Sequence, residues 1–204
     1  MSGIASAEQC MKNVSAAIYQ ILLQEILDES SQQSDVIGIL LTGSVARGDV
    51  LPGSDLDLRF LLAPGSRRSF SAELRQGILV ERGYADVSKA LRKLDSNPME
   101  VYAYLDGRIL FDSQGALADL TEQARQRFAA YHVPDDERRE IAYWLQSARI
   151  KMAAALTASD TLKAAYLTST QSWPLLQGLW AANEKPLPPN GSVWVHLKDL
   201  SRGP

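Results

Sequence analysis

Leu41-Thr42-Gly43-Ser44-Val45-Ala46-Arg47-Gly48-Asp49-Val50-Leu51-Pro52-Gly53-Ser54-Asp55-Leu56-Asp57-Leu58 carries a Gly-Ser step near its front and two aspartates one residue apart near its end. Val36 to Thr42 is a short apolar run without helical length, which predicts a buried strand. Glycine and serine at the end of such a strand can offer backbone N–H groups and a hydroxyl to a phosphate, the more so where a helix starts. Val45 to Gly48 has room for one helical turn, and Leu51-Pro52-Gly53-Ser54 punctuates a loop. Asp55 to Leu62 then alternates, with Leu56, Leu58, Phe60 and Leu62 on one face of a strand and Asp55, Asp57 and Arg59 on the other. The two aspartates therefore project together, their α-carbons roughly 6.5–7 Å apart, within reach of one divalent ion. Such a pair alone can equally be a solvated turn cap; the Gly-Ser step ahead of it changes the balance. Two carboxylates side by side repel each other, which raises one pKa unless a cation sits between them. A phosphate cradle beside an oxygen-ligand metal site points to phosphoryl or nucleotidyl transfer.

Ser69 to Leu74 and Ile78 to Ala85 flank Arg75-Gln76-Gly77 and predict a β-hairpin with glycine at the turn. A helix across Ser71 to Arg82 is the competing pattern; the hairpin is preferred because Ile78-Leu79-Val80 then pairs beside the aspartate strand. Asp86 to Leu94 reads as a helix with Asp86 as N-cap, and Arg108 to Phe111 as a last strand. Upstream, Ser6 and Gln9 form a capping box, and Met11, Val14, Ile18, Ile21, Leu22 and Ile26 recur at helical spacing. That helix is expected from about Ala7 to Leu27, stopping in the polar run Asp28 to Asp35. From Gly115 onward only helices are expected. Leu117, Leu120, Ala124 and Phe128 mark one, ended before Pro134. Asp135-Asp136-Glu137 opens a second, turning Ile141, Trp144, Leu145 and Ala148 inward. Asp160 to Asn183 forms a third, interrupted by Pro174, and Lys185 to Gly191 a Pro-rich loop. The organisation expected is an α/β domain over residues 1–114 and a helical domain over residues 115–204.

The 204 residues suffice for a real core, and a net charge of -3 argues against a general nucleic-acid binder. The one cysteine, Cys10, suits a reducing cytoplasm. Met1 to Gln9 has neither a basic residue nor an apolar core, so no secretory signal is expected, and no run has the length of a membrane span. A cytoplasmic protein is the expectation.

Gly43-Ser44, Arg47-Gly48 and Ser54-Asp55-Leu56-Asp57-Leu58 resemble the signature of the nucleotidyltransferase superfamily, which includes DNA polymerase beta, aminoglycoside nucleotidyltransferases and minimal nucleotidyltransferases. The resemblance covers about residues 36 to 114. It implies an α+β fold: a small mixed β-sheet, followed here by a C-terminal helical domain like that of many small-molecule nucleotidyltransferases. It implies ATP or another nucleoside triphosphate, Mg²⁺, and transfer of a nucleoside monophosphate to a hydroxyl of a small-molecule acceptor with release of pyrophosphate. Gly43 would permit close backbone approach, Ser44 would hold the terminal phosphates, and Asp55 and Asp57 would bind metal. The family often has a third carboxylate on a later strand. Glu81 is the best match, with Asp86 and Glu73 behind it; a solvated strand glutamate is an equal account of Glu81, and N-cap duty the simpler account of Asp86. Glu81 is also the candidate catalytic base, with Glu137 or Glu140 as others. An aminoglycoside-like polyol is one conceivable acceptor. The alternatives are an antitoxin-like minimal nucleotidyltransferase that modifies or binds a partner protein, and a degenerate nucleotide binder.

Arg47 is assigned to phosphate, its other role being a pair with Asp49. Arg59 shares the aspartate face and can neutralise it; Arg67 and Arg68 read as a solvated loop pair. Trp144, Trp173, Trp180 and Trp194 could stack on a base, but at helical spacing they read as core. His132 and His196 lack ligand spacing.

Overall fold

In the computed structural model, which describes the backbone of residues 2–203 and the side chains of residues 17–203, helix α1 (Ser2–Ser31) leads into strand β1 (Val36–Thr42), buried at every position. The helix begins at Ser2, so the Ser6–Gln9 box lies inside it; the side chains of both, and of Met11 and Val14, lie outside the described residues. It also runs past the expected stop at Leu27. The polar residues there bond back onto their own helix, Ser30 Oγ to the Ile26 carbonyl at 2.6 Å and Gln24 Nε2 to Asp28 at 2.9 Å.

After the helical turn α2 (Gly43–Arg47) comes β2 (Leu56–Leu62), then β3 (Ser71–Arg75) and β4 (Ile78–Asp86). The expected hairpin is present, and Gln76 and Gly77 both have positive φ (50° and 80°), as a two-residue type I′ turn requires. Helix α3 (Val87–Ser96) follows, capped by Asp86, whose carboxylate accepts the Lys89 N–H at 2.6 Å. A short turn at Pro98–Glu100 and helix α4 (Val101–Leu105), both unforeseen, lead to β5 (Arg108–Asp112) and α5 (Ala116–Ala130). Among the described residues five strands form one mixed sheet in the order β3-β4-β2-β1-β5, with β2 and β4 parallel and the other neighbours antiparallel.

The chain divides into two compact units, Met1–Arg125 and Gln126–Pro204. In the first, Tyr19, Leu22, Leu23 and Ile26 of α1 pack on Leu56, Leu58, Phe60 and Leu62 of β2 and Val80 of β4. This is the apolar face that the alternation of β2 predicts. Ile21, expected inward, is 52% exposed, because the stripe is centred on Leu22 and Ile26. Leu22→Ala is therefore expected to destabilise the fold by about 2–5 kcal/mol and Ile21→Ala by well under 1, read from urea midpoints. Equal losses would contradict this packing.

In the second unit, α6 (Asp135–Thr157) packs against α7 (Thr161–Thr170) and α8 (Ser172–Ala182). The expected single helix from Asp160 to Asn183 is two, broken at Gln171 rather than at Pro174. Proline in the first turn of α8 sits where an N–H has no helical partner to lose. Gly178 of α8 lets Leu145 of α6 approach: a Cβ there would meet Leu145 Cδ1 at 2.8 Å. Trp180 is core, at 1% exposure. Trp144 and Trp194, at 50% and 72%, are not, and Trp144 bonds through Nε1 to Glu140 at 3.3 Å. No helix among the described residues is long and apolar enough to cross a membrane.

Candidate active site

The only parallel pair in the described sheet sets the site's geometry. Asp57 of β2 lies opposite Glu81 of β4, and Thr42 of β1 lies opposite Asp57 on its other side. Residues in register on neighbouring strands point to the same face. Asp55, two residues before Asp57, joins them just ahead of β2. Carboxylate oxygens of Asp55, Asp57 and Glu81 all lie within 4.8 Å of one another, and all three residues are partly buried.

Thr42 at the end of β1 hands the chain to Gly43, whose φ of +71° is in the left-handed region. A Cβ at Gly43 would stand 2.0 Å from Asp57 Oδ2, so the carboxylate occupies the space a side chain would need. The turn α2 closes at Gly48, also left-handed, where the N–H groups of Gly48 and Asp49 donate to the Ser44 carbonyl at 2.8 and 3.1 Å. Arg47 forks onto Asp49 at 3.1 and 3.2 Å.

Burial is the largest influence on Asp57, followed by the charges of Asp55 and Glu81. Together they push its pKa up to about 6, with Arg59 and Arg47 pulling the other way. Three hard oxygen donors gathered this closely suit a hard divalent cation such as Mg²⁺.

The other acids considered for the third position are occupied elsewhere. Asp86 caps α3 and lies opposite Leu62, at the far end of β2 from Asp57. Glu73 is held by Arg75 at 2.6 Å and by Arg82, which keep its carboxyl below the usual range. Arg68 is not a solvated loop residue: it grips Asp35 and Gln33 and lies 5.7 Å from the centre of the Tyr84 ring.

Next to the carboxylates a cavity of about 380 Å³ opens on the same face of the sheet. Its floor continues from Asp57 and Glu81 to Arg59 and Gly83, and Lys89, Lys93, Glu100 and Tyr104 form its walls. Glu100, 5% exposed, binds the Arg59 guanidinium and Lys93 Nζ, the latter at 3.0 Å. None of these wall residues was singled out from sequence. Asn97-Pro98 was the available sign of the turn that places Glu100, its Asn97 side chain accepting the Met99 N–H at 3.2 Å.

The chain resembles the crystal structure of a nucleotidyltransferase-like protein from Exiguobacterium sibiricum 255-15, at 17% identity and a TM-score of 0.42, over 85% of this chain and 60% of that one. This chain thus spans 60% of that protein's length. Comparison with curated proteins gave no match. Residues 23–111, from within α1 to β5, match the family model of the nucleotidyltransferase domain.

Proposed function

We propose that this domain transfers a nucleoside monophosphate from ATP or another nucleoside triphosphate to a hydroxyl of a small-molecule acceptor, releasing pyrophosphate. The observation that carries the proposal is the meeting of Asp55, Asp57 and Glu81 within 4.8 Å, beside a glycine turn packed on Asp57. The three carboxylates would hold Mg²⁺, which when bound neutralises charge on the triphosphate and on the attacking and leaving oxygens.

The chain's own residues do the rest. Gly43, without a side chain, lets backbone come close to phosphate, and the Ser44 N–H and hydroxyl orient the terminal phosphates. Arg47, held by Asp49, adds positive charge near Asp57 without leaving its partner. Glu81 takes the proton of the acceptor hydroxyl; the oxygen bonds to the α-phosphorus as the bond to the β-phosphate oxygen breaks. The cavity volume fits a small molecule.

ATP with Mg²⁺ at about one hundred times Kd is expected to stabilise the full chain by roughly 2.7 kcal/mol, seen as a rise in melting temperature. Either alone should give less. Glu81→Gln should remove most of the protection and cut pyrophosphate release about 10²-fold or more. Protection by ATP that ignores Mg²⁺, or an unchanged Glu81→Gln enzyme, would refute the assignment.

A further inference from the structure

We infer that the acceptor carries a negatively charged group, seated against Lys89 and Lys93 while its hydroxyl faces Asp57 and Glu81. This rests on the transferase reading above and deepens it. Thr42 lies opposite Asp57 and Asp86 lies opposite Leu62, so the Gly43-Ser44 turn and helix α3 spring from opposite ends of β2. The triphosphate turn is at one end; the lysines of α3 reach the cavity from the other.

Charge along the cavity is polarised. One end holds Asp57 and Glu81, with Asp55 beside them. The other holds Arg59, Lys89 and Lys93 against a single carboxylate, Glu100. Glu100 already serves Arg59 and Lys93, and the partner found for Lys89 Nζ is the neutral Tyr84 carbonyl at 3.1 Å. Lys89 and Lys93 are one helical turn apart, close enough for both to reach one anionic group. The positive excess thus faces whatever fills the end distant from the triphosphate turn. A small hydroxylated carboxylate or phosphate ester matches that polarity; a polycation such as an aminoglycoside is repelled by it.

Gly83 on the floor supplies an independent handle. A Cβ there would meet nothing nearer than the Leu58 carbonyl at 3.9 Å, so a side chain enters the cavity without backbone strain.

The test measures pyrophosphate release by the full chain with ATP and Mg²⁺, using hydroxy acids and sugar phosphates, neutral polyols, and aminoglycosides as acceptors. Anionic acceptors are expected to exceed the other two sets at least 10-fold in kcat/KM. Lys89→Ala should raise the acceptor KM about 10-fold and the ATP KM less than 2-fold, with Lys89→Arg restoring it. Gly83→Val should abolish acceptor-dependent release while Mg²⁺-dependent heat protection by ATP remains. Protection by ATP together with a preference for neutral or cationic acceptors overturns the inference alone, as does a Lys89→Ala effect equal on both KM values. Absence of Mg²⁺-dependent protection in the unaltered chain overturns the transferase reading and the inference with it.

Discussion

Asp57→Asn is expected to lose turnover by about 10³-fold or more, some 4 kcal/mol of barrier, while melting at a higher temperature than the unaltered protein when metal is absent. Both effects follow from the same crowding. Burial, Asp55 and Glu81 lift the Asp57 pKa from 3.8 to about 6, so the folded protein holds that proton more tightly than the unfolded chain does. Stability contributed by the protonated form is complete below about pH 4 and is lost as pH rises through about 6. Asparagine has no charge to confine. Allowing for solvent screening of a partly exposed group, its advantage at pH 7.5 should be on the order of 1 kcal/mol, shrinking to nothing near pH 4. Mg²⁺ should raise the melting temperature of the unaltered protein and leave the variant nearly unmoved. A variant that melts lower at pH 7.5, or keeps more than a trace of turnover, would contradict the electrostatic account.

Gly43→Ala is expected to cost about 10²-fold in turnover together with roughly 1–3 kcal/mol of stability. The methyl group would sit 2.0 Å from Asp57 Oδ2, so the carboxylate must leave its place or the turn must shift. Backbone strain at φ +71° adds to that. Gly48→Ala separates the two contributions, since its φ is +83° yet a Cβ there meets nothing within 4 Å. It should lose about 1 kcal/mol and keep its activity. Denaturation midpoints and kcat on the two variants decide the matter: equal kinetic losses would mean that backbone strain, not displacement of Asp57, is responsible.

Much of the first unit was legible because short-range rules govern it. The alternation of β2 put Leu56 to Leu62 inward and Asp57 with Arg59 outward, and Arg75-Gln76-Gly77 announced the hairpin. Pairing of that hairpin with the aspartate strand followed from its apolar Ile78-Leu79-Val80, and the register then brings Glu81 to Asp57. What local rules could not weigh was competition among partners. Asp86 is taken by the N-cap that the sequence already indicated, but Glu73 is as acidic as Glu81, and only the pairing of β3 with β4 hands it to Arg82. The cavity escaped notice for the same reason, since Arg59 and Glu100 meet across 41 residues of chain. In the helical unit, periodicity overstated burial. Trp144 has the spacing of a core residue but lies at 50% exposure, bonded to Glu140 and edge-on to Tyr143 at 5.3 Å.

The parallel register of β4 on β2 controls more than the sheet it builds. Side chains on a strand change sides at every step, so a slip of β4 by one position would withdraw Glu81 and present Arg82 or Val80 where it had been. With Arg82 in that place, a cation trap would become a cation repeller through no change in composition. A single step of strand alignment thus decides the sign of charge that the centre presents.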